Sequence, residues 1–467
     1  MRIELRSRKS AAWLRARLKF APPASGELLN RNFLLVWSGY VLAIGAQQAS
    51  GIAGVFWLKH ATDSASLVGL LGMLSGLAAI LASPIGGVLS DRLSRAGILS
   101  YTGTTVGFLM AALGVTLWAG LRPVGAAVTI LIVVCTLAGA CRAFASPTFS
   151  ALLPDIVSPA RLPSANSFIQ ASAQAAAIAG LATGGAFYEV FGAPLLFLSS
   201  GVAGLFLAFN CSLLCLPRRP RTAAEGGSGA PAGLHHDVLE GLRYVWTSSG
   251  LRALVMASSA LSFFSVPVLL LLPFFVEDIL NLSPQWYGYF AAIYGIGSLL
   301  GVVGAGVLRP TGARRALLVS VFVVANSLGY TVVGLFRSRV LIALLFLAGG
   351  LLGGFVSVTI TSVLQLGTPA QLRGRVFGVL NTLGSCVAPL GMGLAGVAAD
   401  LLDQDIPLLY VICGSSMATV SLLLTFSGGA WEFLSGAAPE ASGPEPAQAP
   451  PGEMPNAPVK DLYGPGS

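Results

Sequence analysis

Few side chains in this sequence are equipped for acid–base, nucleophilic or metal chemistry, and their placement argues against all three. His60, His235 and His236 fall in expected loops, and Cys135, Cys141, Cys211, Cys215, Cys386 and Cys413 lie in apolar stretches. Cys211 and Cys215 are spaced i, i+4, but a metal would need histidine or carboxylate ligands that are not nearby, so packing is the expectation for all six. A membrane-embedded enzyme would need histidines, carboxylates or an activated nucleophile clustered within a span. The Gly-rich Lys-Ser/Thr loop that cradles nucleotide phosphates is not found either. The sequence predicts no enzyme, no catalytic residue, no cofactor and no metal.

The remaining polar groups suit recognition and movement. Inside a bilayer they are costly and mostly face a cavity or another helix. Gln47 and Gln48 sit mid-run, with Gly39, Ala43, Gln47 and Gly51 on one helix face. Asn166, Gln170 and Gln174 share a face in the same way, as do Asn381, Ser385 and Pro389. Tight helix packing and substrate contact both account for these two sets. Phe263, Phe264, Ser265 and Pro267, then Pro273, mark a helix that can bend, with aromatic surface turned either to a gate or to lipid. Arg142 is the deepest charge, close to one end of its span, where it meets an anionic substrate or snorkels to lipid phosphate. The expected span interiors hold no Asp, Glu, Lys or His, so Glu277 and Asp278 at the outer mouth are the first candidates for proton coupling.

The elements that must hold these groups follow from composition. Of 467 residues, 55% are hydrophobic and only 10% charged, against about 25% charged in soluble chains. Apolar runs fall near 32–58, 66–89, 98–119, 124–144, 164–189, 193–216, 250–276, 284–308, 316–336, 339–363, 375–399 and 407–430. Each approaches the roughly 20 residues that cross a bilayer. Near-continuous apolarity without strict alternation excludes a β-barrel, so an all-α polytopic membrane protein of twelve transmembrane helices is expected. With a cytoplasmic N-terminus, only Lys59, Arg122, Arg337 and Arg339 of the 27 Lys and Arg lie outside. The positive-inside rule therefore puts both termini in the cytoplasm, and the net charge of +8 reads as topology rather than nucleic-acid binding.

Pro217 to Ser249 is the longest loop between spans, and the halves on either side repeat each other. Gly87-Val88-Leu89 recurs as Gly306-Val307-Leu308, and Pro159-Ala160-Arg161-Leu162 as Pro369-Ala370-Gln371-Leu372. Parallel repeats typify secondary transporters with a midplane site between the halves. The expected organisation is a basic cytoplasmic arm (1–30), a first six-helix bundle (31–216), a central loop (217–249), a second six-helix bundle (250–430) and a disordered Pro-rich tail (431–467). The arm is read either as disordered or as a short helix on anionic lipid.

Gly87-Val88-Leu89-Ser90-Asp91-Arg92-Leu93-Ser94-Arg95 resembles the loop two-to-three signature of the major facilitator superfamily. Asn30-Arg31-Asn32-Phe33, Leu153-Pro154-Asp155-Ile156-Val157 with Ala165-Asn166, and Leu372-Arg373-Gly374-Arg375-Val376 resemble its macrolide-efflux and enterobactin-exporter branch of drug:proton antiporters. The resemblance implies alternating access by two bundles about a cavity lined by spans one, four, seven and ten. That makes Gln47, Gln48, Arg142, Phe264, Asn166, Gln170 and Asn381 the candidate substrate-cavity residues. Asp91 is expected to act as a cytoplasmic latch on the N-terminus of span eleven near Gly374 and Arg375, where unpaired N–H groups carry partial positive charge. Gly87 permits close approach, and Arg92 and Arg95 hold the loop against phosphate or Asp155. Two departures stand out: Pro310 replaces the acid in the second-half copy, and Leu181 stands where antiporters carry proline in Gly180-Leu181-Ala182-Thr183-Gly184-Gly185.

The expectation is a monomeric secondary transporter of a bacterial inner membrane, exporting a hydrophobic or amphipathic drug, macrolide or siderophore-like molecule with protons as the coupling ion. An importer or facilitator of the same fold and a lipid flippase are the alternatives.

Overall fold

A computed structural model of the protein describes residues 29–92, 94–120, 123–214, 242–368 and 373–436. The expected basic arm, most of the central loop with His235 and His236, Cys215, and the tail beyond 436 lie outside the described residues.

Helices begin where a cap is available. Helix α1 (Arg31–Thr62) starts at Asn30, whose side-chain oxygen accepts from the Phe33 N–H at 2.9 Å. Its amide donates to the Ile156 carbonyl at 2.7 Å, so a cap worth about 1 kcal/mol also ties two helix ends together. Helices α2 (Ala65–Arg92), α3 (Arg95–Trp118) and α4 (Val124–Ile156) follow. The next helical run, Leu162–Ser212, has 51 residues, about 76 Å at 1.5 Å per residue, more than twice a hydrocarbon core of about 30 Å. It breaks at Gly192, with φ 70° and ψ 176°, a conformation essentially reserved for glycine. The break separates α5 (162–191) from α6 (193–212).

The second half opens with a short helical segment (242–247). Helix α7 (Ser249–Leu270) continues through Leu272–Phe274 into a π turn, Phe275–Ile279. Then come α8 (Gln285–Leu308), α9 (Gly312–Leu335), α10 (Arg339–Gly367), α11 (Arg373–Leu401), α12 (Ile406–Thr425) and α13 (Gly428–Ser435). Eleven helical segments among the described residues are long and apolar enough to cross a membrane. With the Gly192 break they make twelve spans in an all-α membrane fold.

Lipid tails are as apolar as leucine, so helices in a bilayer associate through close packing of small residues. Within the first half, Gly103, Gly107, Gly201 and Gly204 bring α3 and α6 backbone to backbone. A Cβ added to Gly201 would lie 2.8 Å from the Ala111 nitrogen and 2.9 Å from the Gly107 carbonyl oxygen. In the second half, α8 and α10 meet along Gly297, Gly301, Gly350 and Gly354. Where α7 breaks after Pro267, the Tyr410 hydroxyl of α12 donates to the Val268 carbonyl at 2.6 Å, supplying a partner that lipid could not. Between the halves, α2 packs on α11 and α5 on α8.

The structure departs from the sequence expectations in three places. Span four ends twelve residues later than the apolar run suggested, because Pro147 and Pro154 stay within α4. His60 lies on the last turn of α1 rather than in a loop. The second bundle continues past 430 into α13, whose Ala430, Phe433 and Leu434 are buried against the core, so residues 431–435 are packed helix and not tail.

Gly201→Leu should lower thermal stability in detergent by an overpacking cost of about 1–3 kcal/mol. Gly304→Leu, at a position where an added Cβ meets nothing within 4 Å, should leave the melting temperature unchanged. Equal melting temperatures for the two variants would count against small-residue packing as the cement of the first half.

Candidate functional site

Two clusters collect the polar groups. The first is a cavity of about 260 Å³ among α1, α3, α4 and α6. On α1, Tyr40, Ala43, Ile44 and Gln47 line it at i, i+3, i+4 and i+7 spacing, one face of a helix. Thr102 enters from α3, Arg142 from α4 and Ser200 from α6. Because α4 runs on to Ile156, Arg142 sits 14 residues from that end, about 21 Å along the axis, and its side chain lines the cavity. The ring of Tyr40 stacks on Phe149 with centroids 4.1 Å apart, which holds it at the cavity wall. Gln48, the next residue round α1, is not among the lining residues.

The second cluster joins the halves. Lys59 on α1 is 5% exposed, and its ammonium lies 2.6 Å from a Glu277 oxygen and 2.7 Å from an Asp278 oxygen. Both acids belong to the π turn at the end of α7. A π turn widens the helix by one residue and here presents two consecutive carboxylates to one cation. His60 adds a contact from Nε2 to Glu277 at 3.0 Å, while its Nδ1 meets the Tyr188 hydroxyl of α5 at 2.9 Å. Phe274, with its centroid 5.2 Å from the ammonium, and Phe56, edge-on to Tyr287 at 5.8 Å, enclose the group. Tyr287 thus lies in the seam between the halves.

Beside this cluster, Asp400 near the end of α11 reaches the first turn of α2. Its carboxylate accepts from the backbone N–H of Ala65 at 3.0 Å and of Ser66 at 2.9 Å, and from the Ser64 hydroxyl at 3.0 Å. The first N–H groups of a helix have no partner within it and carry partial positive charge. An acid from the other half therefore caps α2. Gln404 adds a hydrogen bond from its amide to the Asp63 carbonyl at 2.7 Å.

The remaining expected residues are scattered. Arg95 donates to Asp155 at 2.8 Å and to the Ala151 carbonyl at 2.7 Å, joining the start of α3 to the end of α4. Gly87, Asp91 and Arg92 lie on the last turns of α2, and Gly374, Arg375 and Asn381 on α11; their side chains lie outside the described residues. Asn166 and Gln170 are exposed on α5. Phe264 is partly buried and edge-on to Phe263 at 5.3 Å. Sequence reasoning missed Lys59, His60, Tyr188 and Asp400 as a connected set. The available signals were a lysine on the cation-poor side and an acid closing span eleven, but their partners are too remote in the chain to be found by spacing.

A family model described as the Major Facilitator Superfamily matches residues 36–392. The chain is 26% identical over 381 residues to the multidrug efflux pump Tap of Mycolicibacterium fortuitum, covering 79% of this chain and 90% of that protein. It is 22% identical over 371 residues to macrolide efflux protein A of Streptococcus pyogenes, covering 79% and 89%. Among solved structures, an inward-facing bacterial homologue of the lysosomal transporter Spinster has a TM-score of 0.64 at 16% identity over 88% of this chain and 98% of that chain. A D-xylose–proton symporter has a TM-score of 0.62 at 15% identity over 86% and 98%. Twelve apolar helices, two halves meeting in a polar clasp and a family match across most of the length lead to one assignment: the chain belongs to the major facilitator superfamily and is a multi-pass membrane transporter, not an enzyme.

Proposed function

We propose that this transporter exports hydrophobic or amphipathic small molecules across a bacterial inner membrane by alternating access, driven by the proton gradient. The two bodies that move are the bundles 31–216 and 250–430. The functions of the similar proteins, multidrug efflux and macrolide efflux, support drug-like cargo. The observation that carries the mechanism is the clasp across the halves, with Lys59 held between Glu277 and Asp278 and Asp400 capping α2. The Lys and Arg bias assigns this end to the outside, with both termini in the cytoplasm, so the clasp closes the outer mouth.

Helices α2 and α11 run antiparallel, and each ends in an acid on the side where the other begins: Asp91 on α2, Asp400 on α11. The cytoplasmic latch expected of Asp91 with Gly374 and Arg375 and the outer cap made by Asp400 are then one device used at opposite ends. Closing one end and opening the other exchanges one capped helix for the other, which keeps the two states near in energy. At the outer mouth a proton and the Lys59 ammonium compete for the same oxygens of Glu277. Proton uptake there opposes closure and favours release of cargo to the outside.

Hydrogen bonds to a charged group contribute about 1.5–3 kcal/mol, and 1.4 kcal/mol is a factor of ten in population. Asp400→Asn should therefore raise the outward-open population by about tenfold. Spin labels at Val124→Cys and Val340→Cys, in a chain freed of its native cysteines, should report longer distances; an unaltered distribution would remove Asp400 from the mechanism. Cells carrying the gene should accumulate less of a macrolide than cells without it, and an uncoupler should abolish the difference. A difference that persists with the uncoupler would sink proton coupling, and no difference across a panel of drugs would sink export. In proteoliposomes, the Glu277→Gln, Asp278→Asn double variant should lose pH-gradient-driven transport; full gradient-driven transport would exclude both acids.

A further inference from the structure

Among the described cations, Lys59 and Arg95 pair with acids, and Arg252, Arg309, Arg315 and Arg337 donate to backbone carbonyls. Arg142, lining a cavity within its span, has neither kind of partner. No hydrogen bond or ion pair to its guanidinium occurs among the described residues, and no Asp or Glu lines the cavity it enters. Three further groups on the same walls, the Gln47 amide and the Tyr40 and Ser200 hydroxyls, also lack a hydrogen-bond partner among the described residues. Thr102, by contrast, spends its hydroxyl on the Ile98 and Leu99 carbonyls.

An uncompensated charge beside apolar walls is expensive, and an ionisable group within a membrane span points to a functional partner. The guanidinium supplies several donors in a planar fork that matches a carboxylate or phosphate edge. Gln47, Tyr40 and Ser200 supply further donors at neutral pH, whereas Ile44, Val106 and Leu207 give the wall apolar patches. A cation entering this space would meet a like charge and no acid. The volume of about 260 Å³ falls below the roughly 300–1,000 Å³ of whole-ligand pockets, so the cavity takes a head group while the remainder of the molecule stays outside it.

We propose that Arg142 anchors the anionic head group of an amphipathic substrate, with Gln47 and Tyr40 completing its hydrogen bonds, so that this transporter prefers anionic amphiphiles to neutral or cationic ones of the same shape. The proposal rests on the export reading above and narrows its cargo to a charge class.

The test uses three probes of one shape: 1-naphthaleneacetate, its methyl ester and 2-(1-naphthyl)ethylammonium. Binding to the purified full chain in lipid nanodiscs is read by quenching of the native tryptophans. The wild type should bind the anion about tenfold or more tighter than the ester and the ammonium most weakly. Arg142→Gln should erase the preference for the anion while leaving the ester's affinity within twofold, and Arg142→Lys should retain part of it. Gln47→Leu and Tyr40→Phe keep the charge and should each weaken the anion severalfold without touching the ester, which keeps the idea testable should Arg142→Gln fail to fold. Equal affinity for anion and ester in the wild type, or a preference that survives Arg142→Gln, would overturn the proposal. Efflux of the same probes from loaded vesicles is scored separately. Arg142-dependent binding without any outward transport sinks the export reading and leaves the anchor standing, whereas outward transport of ester and anion alike sinks the anchor and leaves export.

Discussion

An ammonium withdrawn from water must have counter-charges, and among the described residues Lys59, 5% exposed, finds them in the other half of the molecule, in Glu277 and Asp278. The halves are therefore joined at this end by a discrete polar contact, beside the packing of α2 on α11 and α5 on α8. Phe274 lies over the ammonium, whereas Asp278 is 46% exposed, so the contact is buried on the lysine side and open to water on the side of one acid.

Beneath the clasp the halves also meet closely. Along α2 and α11, Gly72 and Gly76 face the side chains of Met392 and Pro389, and Gly69 and Gly396 bring backbone against backbone; Gly185 and Gly288 do the same where α5 meets α8. Inside each half, glycine backbones are pressed against neighbouring backbones, as where α3 meets α6 and α8 meets α10. Dispersion contacts are individually weak and add up with area. Close backbone packing therefore holds each half together and also joins the halves, and the polar groups at the end of the seam add directional contacts to it. The Asp400 cap is one of these, a carboxylate supplied by one half to the unpaired N–H groups that open a helix of the other.

Much of the fold was legible in the residues. Twelve apolar runs anticipated the helices, including the separation of α5 from α6, which the structure places at Gly192. Boundaries suffered where a helix outruns its apolar stretch. Pro147 and Pro154 are carried inside α4, which extends twelve residues beyond the apparent end of its span. The cavity residue Gln47 was marked by its polarity in an apolar run, and Tyr40 could have been, one helical face away at i−7. Glu277 and Asp278 were singled out as acids at a mouth. Their engagement with Lys59 and His60 was not, because nothing around any of these residues differs from an ordinary span end.

What the amino-acid sequence determined alone is the solvent of this protein and the count and rough length of its spans. Hydrocarbon imposes apolarity and a length on each helix separately, and such local demands are written locally. Tertiary structure decided which charges meet, which stay unpaired and which helix end an acid caps. Those pairings join residues 218 and 335 positions apart, and an electrostatic contact depends on distance in space, about which separation along the chain is silent.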